Sequence, residues 1–274
     1  MTPTDAATTS RAGARYGDPG FVLHATSPVI EHQLRHRSVR AFLPAPVTEE
    51  ELRAVVAAAS SASTSSNLQA WSVVAVTDPE RKRRLSDLAA RQQFIVQAPL
   101  FLVWVADLDR NHRLAERHGK PLDATVYLES TLLAVIDTAL AAQNAVVALE
   151  SLGLGSVFVG AVRNHPEEFA AELGLPPHTA AVFGLAVGHP DPAEDADTKP
   201  RLPQSAVLHR ETYDAGRADT DLPAYDERLA AYNGAHGLTG AWSERVLGRL
   251  AGAAGLAGRD TLRDSLERRG LPSR

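Results

Sequence analysis

No cysteine occurs in the 274 residues. Disulfides, thiolate nucleophiles, CxxC redox pairs and cysteine-based zinc sites are excluded together. Any redox chemistry must come from a bound cofactor, because no side chain here can cycle two electrons. A positive surplus is missing too: 28 Lys and Arg stand against 33 Asp and Glu, a formal net charge of -5. That argues against a generally basic nucleic-acid binder and leaves room for a local basic pocket. Met1 to Pro28 lacks the apolar run of a signal peptide. No stretch is read as approaching the roughly 20 apolar residues that span a bilayer, so no membrane partner and a cytoplasmic location are expected. The ten histidines form no HExxH pair and no convincing ligand spacing, so no metal site is expected. Neither a GxSxG elbow nor a P-loop lysine occurs.

What is present is 44% hydrophobic and 22% charged, the composition of a globular chain able to bury a core. Residues 1–28 read as a flexible extension, with folding proper starting near Val29. Thr48 and Glu51 form a capping box, which predicts a helix from about Glu49 to Ala59. A Ser/Thr/Ala run follows to Asn67. Ala70 to Val76 alternates as a strand does. Asp78-Pro79 opens a helix that ends before Gln92, and Phe101 to Ala106 is a fully apolar strand. A long helix is predicted from about Asp123 to Leu152, with Leu132, Ile136, Leu140, Val147 and Leu149 at helical spacing and Gly153 as its stop. Apolar around much of its girth, it belongs at the centre of the domain or of a subunit interface. Gln143 and Asn144 on it read as polar groups paired within such an interface.

Ser156 to Gly160 follows as a strand, then a helix opened by Asn164 and Glu167 and stopped by Gly174, then a buried strand from Ala181 to Val187. From Lys199 the chain reads as irregular, and from Tyr225 to Arg274 as helical in pattern but weakly packed around the Gly/Ala-rich Leu247 to Gly258. Strands alternating with helices give an α/β or α+β class.

Four clusters carry chemistry. His36-Arg37-Ser38-Val39-Arg40 places two forked guanidinium donors, an imidazole and a hydroxyl where they can ring a phosphate; a solvated basic patch is the alternative. Ser63-Thr64-Ser65-Ser66-Asn67-Leu68-Gln69 lies between a helix and a strand, and is either a polar linker or a ligand loop. Lys199-Pro200-Arg201-Leu202-Pro203 stiffens two cations at i and i+2, which suits a dianion or a plain connector. Gly153 to Gly160 tempts toward a dinucleotide fingerprint, yet it lacks GxGxxG spacing and leads from helix to strand, the reverse of the Rossmann order. Gly160 still allows a backbone N–H to approach a flat ring. The Arg/Glu-rich turns from Arg259 to Arg269 read as a solvated helix face.

Together the stretches HRSVRAF at 36–42, STSSNLQ at 63–69, DTALAAQNAVVALESLGLGSVFVGAVRN at 137–164, FGLAVGHP at 183–190 and KPRLP at 199–203 resemble the FMN-dependent nitroreductase superfamily. Within it they resemble the oxygen-insensitive NADPH nitroreductase and NADPH–flavin oxidoreductase subfamily. The resemblance implies an α+β nitroreductase-like fold: a mainly antiparallel central sheet flanked by helices, in a helix-exchanged homodimer with FMN at each subunit interface. It implies an FMN-binding domain over 29–215 and a C-terminal helical excursion over 216–274 near the nicotinamide and substrate site.

The resemblance places His36, Arg37 and Ser38 at the FMN phosphate with Arg201 completing the anion site, and Arg40 and Lys199 near the ribityl chain and the N1/O2 side of the ring. It has Thr64, Ser65, Ser66 and Gln69 lining the partner's contribution, Gln92 at the pyrimidine edge, and the backbone of Gly160 and Ala161 near O4 and N5. The family more often has a second glycine at 161 and a bulkier residue at 67. Asn67, Arg163 and Arg259 are the nicotinamide and substrate candidates; the stretch Gly234 to Gly240, where the subfamily carries a basic segment, has no arginine.

The implied activity is ping-pong reduction of nitroaromatics, quinones or free flavin, small flat acceptors, by NADPH, with NADH as a second donor. No side-chain catalyst is required, because the chemistry occurs at the flavin. A flavin-storage protein without turnover, or a superfamily member with other flavin chemistry, are the alternatives.

Overall fold

The computed structural model describes residues 11–271 and residue 274. These form two compact units that interleave along the chain, one of Ser38–Glu194 with Leu256–Arg274, the other of residues up to Arg37 with Asp195–Gly255.

The larger unit is built on four antiparallel strands: β1 (Trp71–Val76), β2 (Leu100–Asp107), β3 (Gly155–Val159) and β4 (Thr179–Gly188). Their spatial order is β1-β2-β4-β3, so β1 and β3 are the two edges. β2 pairs Leu100 with Val187 and Asp107 with Thr179, and its register shifts once between Trp104 and Val105. Buried along its whole length, β2 is a continuous Val/Leu/aromatic run rather than an alternating one, as a strand covered on both faces must be. Helices flank this sheet, which makes the class α+β.

The capping box forms as expected: the Thr48 side chain accepts from the Glu51 N–H at 3.1 Å and Glu51 accepts from the Thr48 N–H at 2.7 Å, opening the helix Glu49–Ser60. This bonding from Thr48 holds the Glu51 carboxyl below its usual range. The long helix runs over Leu128–Ser151 after a short turn at Asp123–Val126. Gly153, at φ +81°, follows its end in a conformation that favours glycine. The inner face of the helix is mostly small, with Ala134, Ala141, Ala142, Ala145, Val146 and Leu149 buried. Leu132, Ile136 and Leu140 are 45%, 55% and 44% exposed, which sets aside the centre of the domain and leaves the subunit interface as the alternative for this face. Asn144 donates to the Ala58 carbonyl at 3.2 Å within the same chain rather than across an interface. Contrary to expectation, this helix is long and apolar enough to cross a bilayer by length and composition. Its packing against the sheet accounts for the apolar inner face.

Asn164 does not open the next helix. It ends the short turn Gly160–Arg163, and Pro166–Leu173 begins after His165, with Gly174 closing it in the left-handed conformation. The C-terminal segment is better anchored than its composition suggested. Leu271 is 1% exposed within a core cluster. Arg269 is no part of a solvated face: its guanidinium donates to the carbonyls of Leu175 (2.9 Å), Pro176 and Thr179 (3.2 Å). Arg268 pairs with Glu167 at 2.6 Å. The Gly/Ala-rich stretch itself matches the weak packing expected: residues 247–254, 257 and 258 are exposed, Leu247 and Leu250 by 70% and 71%.

In the smaller unit residues 11–16 are helical, with Ala12 and Arg15 buried; of the extension expected over 1–28, residues 1–10 lie outside the described residues. The helix Arg217–Ala235 carries Pro223 internally; it bears out the helical pattern expected from Tyr225 but starts earlier, inside the stretch expected as irregular. Tyr225, Leu229 and Asn233, spaced by four, form its buried face.

Candidate functional site

One edge of the sheet gathers part of the predicted site. Ser38 bridges to Ser156 on β3, and the Val39 N–H donates to the Ser156 carbonyl at 2.9 Å. A Cβ at Gly155 would lie 2.8 Å from Val39 Cγ2 and 2.9 Å from Pro190 Cγ, so only glycine lets this segment approach the strand. Further along, the Ala41 carbonyl accepts from the Asp191 N–H at 3.0 Å, and the Arg40 N–H donates to both Glu194 oxygens at 2.9 and 3.1 Å. The Arg40 residue itself is exposed.

β3 runs straight into Gly160 and Ala161. A Cβ placed on Gly160 would lie 3.5 Å from Arg163 Nη2 and 3.6 Å from Arg259 Nη1. Both guanidinium groups therefore flank the same backbone carbon. Arg163 is fixed through a bond to the Val182 carbonyl, and Arg259 donates from Nε to the Leu256 carbonyl at 2.9 Å. Two forked cations facing one point form a donor set suited to a phosphate dianion. The Asn164 Oδ1 nearby in sequence is buried with no hydrogen-bond partner.

The Ser-rich loop sits at the other edge, beside the start of β1. Its register places Trp71 opposite Ala106 of β2. Asp137, 1% exposed on the long helix, accepts from the Ser65 N–H at 3.0 Å and from the Ala70 N–H at 3.1 Å. Between those clamps Ser66, Asn67 and Gln69 adopt φ of +49°, +55° and +50°, which costs on the order of 1–3 kcal/mol each for non-glycine residues. Gln69 Nε2 donates to Asn67 Oδ1 at 3.3 Å. Thr64 lies at the loop's start and Ser65 to Gln69 are exposed. Two strands intervene between β1 and β3, so three strand spacings, about 14 Å, separate this loop from Gly160 across the sheet.

Gln92 precedes the helix Gln93–Gln97. Its carbonyl accepts from Ser86 Oγ at 2.9 Å, and Ala90 and Arg91 before it both have positive φ. The residues after it share a core cluster with Ala161: Ile95 is buried there and Phe94 packs against it.

The smaller unit carries the remaining cations. Arg37 and Arg201 are exposed and His36 and Lys199 half-buried. The segment 199–203 is held by the helix Arg217–Ala235: Tyr225 donates to the Pro200 carbonyl at 3.2 Å, and Tyr232 to the Asp197 carbonyl at 3.0 Å. The Lys199 ammonium stands 5.5 Å above the Tyr232 ring. Burial pushes the Tyr225 phenol above its usual range. Arg201 also lines a cavity of about 530 Å³ with Arg15, Tyr16, Leu34, Tyr225 and Trp242.

The family model described as Nitroreductase family matches residues 34–189, more than half of the chain, and that described as Nitroreductase family, C-terminal domain, matches residues 199–274. The chain belongs to the nitroreductase family. Among its relatives in that family, FMN reductase (NADPH) of Bacillus subtilis is 41% identical over 228 residues, covering 80% of this chain and 89% of that protein. Oxygen-insensitive NADPH nitroreductase of Salmonella typhimurium is 40% identical over 225 residues, covering 80% and 90%. The solved structure of NADPH:FMN oxidoreductase from Vibrio harveyi complexed with NAD+ superposes with a TM-score of 0.80 at 35% identity, covering 90% of this chain and all of that one.

Reading the sequence alone misses Asp137 and Arg15, whose side-chain contacts are made 19 to 184 residues away in the chain. For Asp137 a usable signal exists: it is an unpaired acid on an otherwise apolar helix face.

Proposed function

We propose that the protein is an FMN-dependent oxidoreductase that takes electrons from NADPH, and from NADH less well, and reduces nitroaromatics, quinones or free flavin with ping-pong kinetics. The observation that carries this reading is the convergence of Arg163 and Arg259 on Gly160 at the end of β3, in a chain whose family includes NADPH-dependent flavin reductases. The residues present fit FMN. A Cβ on Gly160 would meet nothing closer than 3.5 Å, so the chain's own packing does not demand glycine there; a bare backbone is what a flat ring needs to come close.

FMN, when bound, supplies a ring position that accepts hydride from one substrate and gives it to the next. The chain's part is to bind and orient. By family likeness, His36, Arg37, Ser38 and Arg201 take the phosphate, where each charge-assisted hydrogen bond contributes about 1.5–3 kcal/mol. Arg40 and Lys199 take the ribityl chain and the N1/O2 side, where a fixed cation favours the developing negative charge. Gln92 takes the pyrimidine edge, and the Gly160 and Ala161 backbone the O4/N5 side. Arg163 and Arg259 take the 2′-phosphate of NADPH, in place of the arginine that the stretch Gly234–Gly240 lacks.

A homodimer with exchanged helices completes the reading. Thr64, Ser65, Ser66 and Gln69 lie at the sheet edge opposite β3, and by family likeness they serve the partner's cofactor. The exposed stripe Leu128, Leu132, Ile136 and Leu140, spaced by four on one helix face, supplies an apolar surface for that association.

Steady-state kinetics of Arg259→Ala test the assignment. Loss of one charge-assisted phosphate contact is expected to raise the NADPH KM about tenfold or more and to leave the NADH KM within about twofold. Equal changes in both would remove Arg259 from the 2′-phosphate.

A further inference from the structure

Arg15 lies ahead of residue 34, where the match to the nitroreductase family begins, in the helical turn 11–16. It is only 7% exposed. Its Nη1 donates to the Lys199 carbonyl at 3.2 Å, and its Nη2 donates to the Leu34 carbonyl at 2.9 Å and to the His36 carbonyl. In return the Arg15 carbonyl accepts from the Arg201 N–H at 2.8 Å. One residue thus bonds the backbone at His36 and at both cations of the 199–201 segment. Its neighbours stitch the same turn down on either side: Arg11 pairs with Glu31 at 3.7 Å, and Gln204 donates to the Tyr16 hydroxyl at 3.2 Å.

We propose that Arg15 is a positioning residue for the cofactor's phosphate: it clasps the segment ending in His36-Arg37 to the segment Lys199–Arg201, and so fixes the spacing of the cations that receive a dianion. The proposal rests on the FMN reading above. The physical argument is one of fork geometry. A guanidinium presents five N–H donors in a fixed plane and can hold several carbonyls from separate segments at set directions. A lysine offers the same charge from a single nitrogen. Buried backbone carbonyls must be satisfied, and these are satisfied by a side chain brought in from the N-terminal arm. Without it, the two cation-bearing segments keep their charges but lose their mutual register. Affinity for a phosphate then falls further than affinity for the flavin ring, toward which only Lys199 of this segment is assigned.

The test compares FMN with riboflavin, which lacks the phosphate, by fluorescence-quenching titration of full-length wild type, Arg15→Ala and Arg15→Lys after flavin removal. Wild type is expected to prefer FMN strongly. Arg15→Ala is expected to weaken FMN about tenfold or more while riboflavin changes less than about threefold, with Arg15→Lys in between. If wild type binds neither flavin, the FMN reading fails, and this proposal with it. If wild type prefers FMN and both variants keep the same FMN-to-riboflavin ratio, the clasp is overturned and the FMN reading stands. Should Arg15→Ala fail to fold, Arg15→Lys decides alone: an unchanged ratio overturns the proposal and a reduced one supports it.

Discussion

Asp137 spends its carboxylate on two backbone N–H groups, those of Ser65 and Ala70. The loop between them holds three strained, exposed residues, so the acid acts as the loop's anchor. Asp137→Asn replaces one acceptor with a donor and faces it toward an N–H; the expected cost is about 1–3 kcal/mol, read as a lower urea midpoint, with faster proteolysis within residues 63–69. An unchanged midpoint and cleavage pattern would show that the loop holds itself. His112 gives a second residue-scale prediction. Its ring stacks on His178 with centroids 3.7 Å apart, and its Nε2 is buried without a partner. Burial first, then the His178 charge, pull its pKa below the usual value, against the opposing pull of Glu116 and Asp109. The unfolded chain therefore binds the proton at higher pH than the native one. Stability is full above the unfolded value, about 6.5, and is lost as pH falls through the lower native value. Thermal melts between pH 7.5 and 5.5 are expected to show this decline, and His112→Phe is expected to flatten it. The partners of both side chains lie far away in the chain, so the sequence offers at most the signal of an acid on the apolar side of a helix for Asp137 and none for His112. What is legible at His36 to Arg40 is only that charge and hydroxyl groups sit within five consecutive positions; their phosphate role is part of the proposal.

Among the elements, those with local signals were the readable ones. The Thr48 capping box, the Asp78-Pro79 start and the apolar β2 were legible because capping, fixed proline φ and burial on both faces act within a few residues. The helix Arg217–Ala235 was legible from Tyr225 onward, but not in its first turns, which carry Pro223. The long helix was legible in existence but not in facing. Its alanine side, not its leucine side, packs on the sheet, since small residues let the backbone come close. The leucine side is therefore left exposed in the single chain, and it is the surface proposed above for association. Ile136, 55% exposed at the middle of that stripe, makes the prediction sharp. Ile136→Glu is expected to leave the unfolding free energy from urea titration within about 0.5 kcal/mol of wild type in a monomeric reference, while sedimentation shows the dimer lost at micromolar concentration. A dimer that survives the charge would place the interface elsewhere.

For the molecule as a whole, the absence of cysteine, of metal spacing and of any nucleophile triad confined redox chemistry to a bound cofactor, and family membership fits that confinement. The grouping of ligand residues on two sheet edges and in two units was beyond reach of the sequence, because register and strand order decide it. The account's central claim is that this chain holds FMN and turns it over with a nicotinamide. An absorbance spectrum of the purified full-length protein incubated with FMN and freed of excess, taken before and after NADPH under anaerobic conditions and again after adding a quinone, tests it most directly. The account predicts a yellow protein with about one FMN per chain, bleached by NADPH and restored by the quinone. A colourless protein, or a yellow one that neither NADPH nor NADH bleaches, would contradict it.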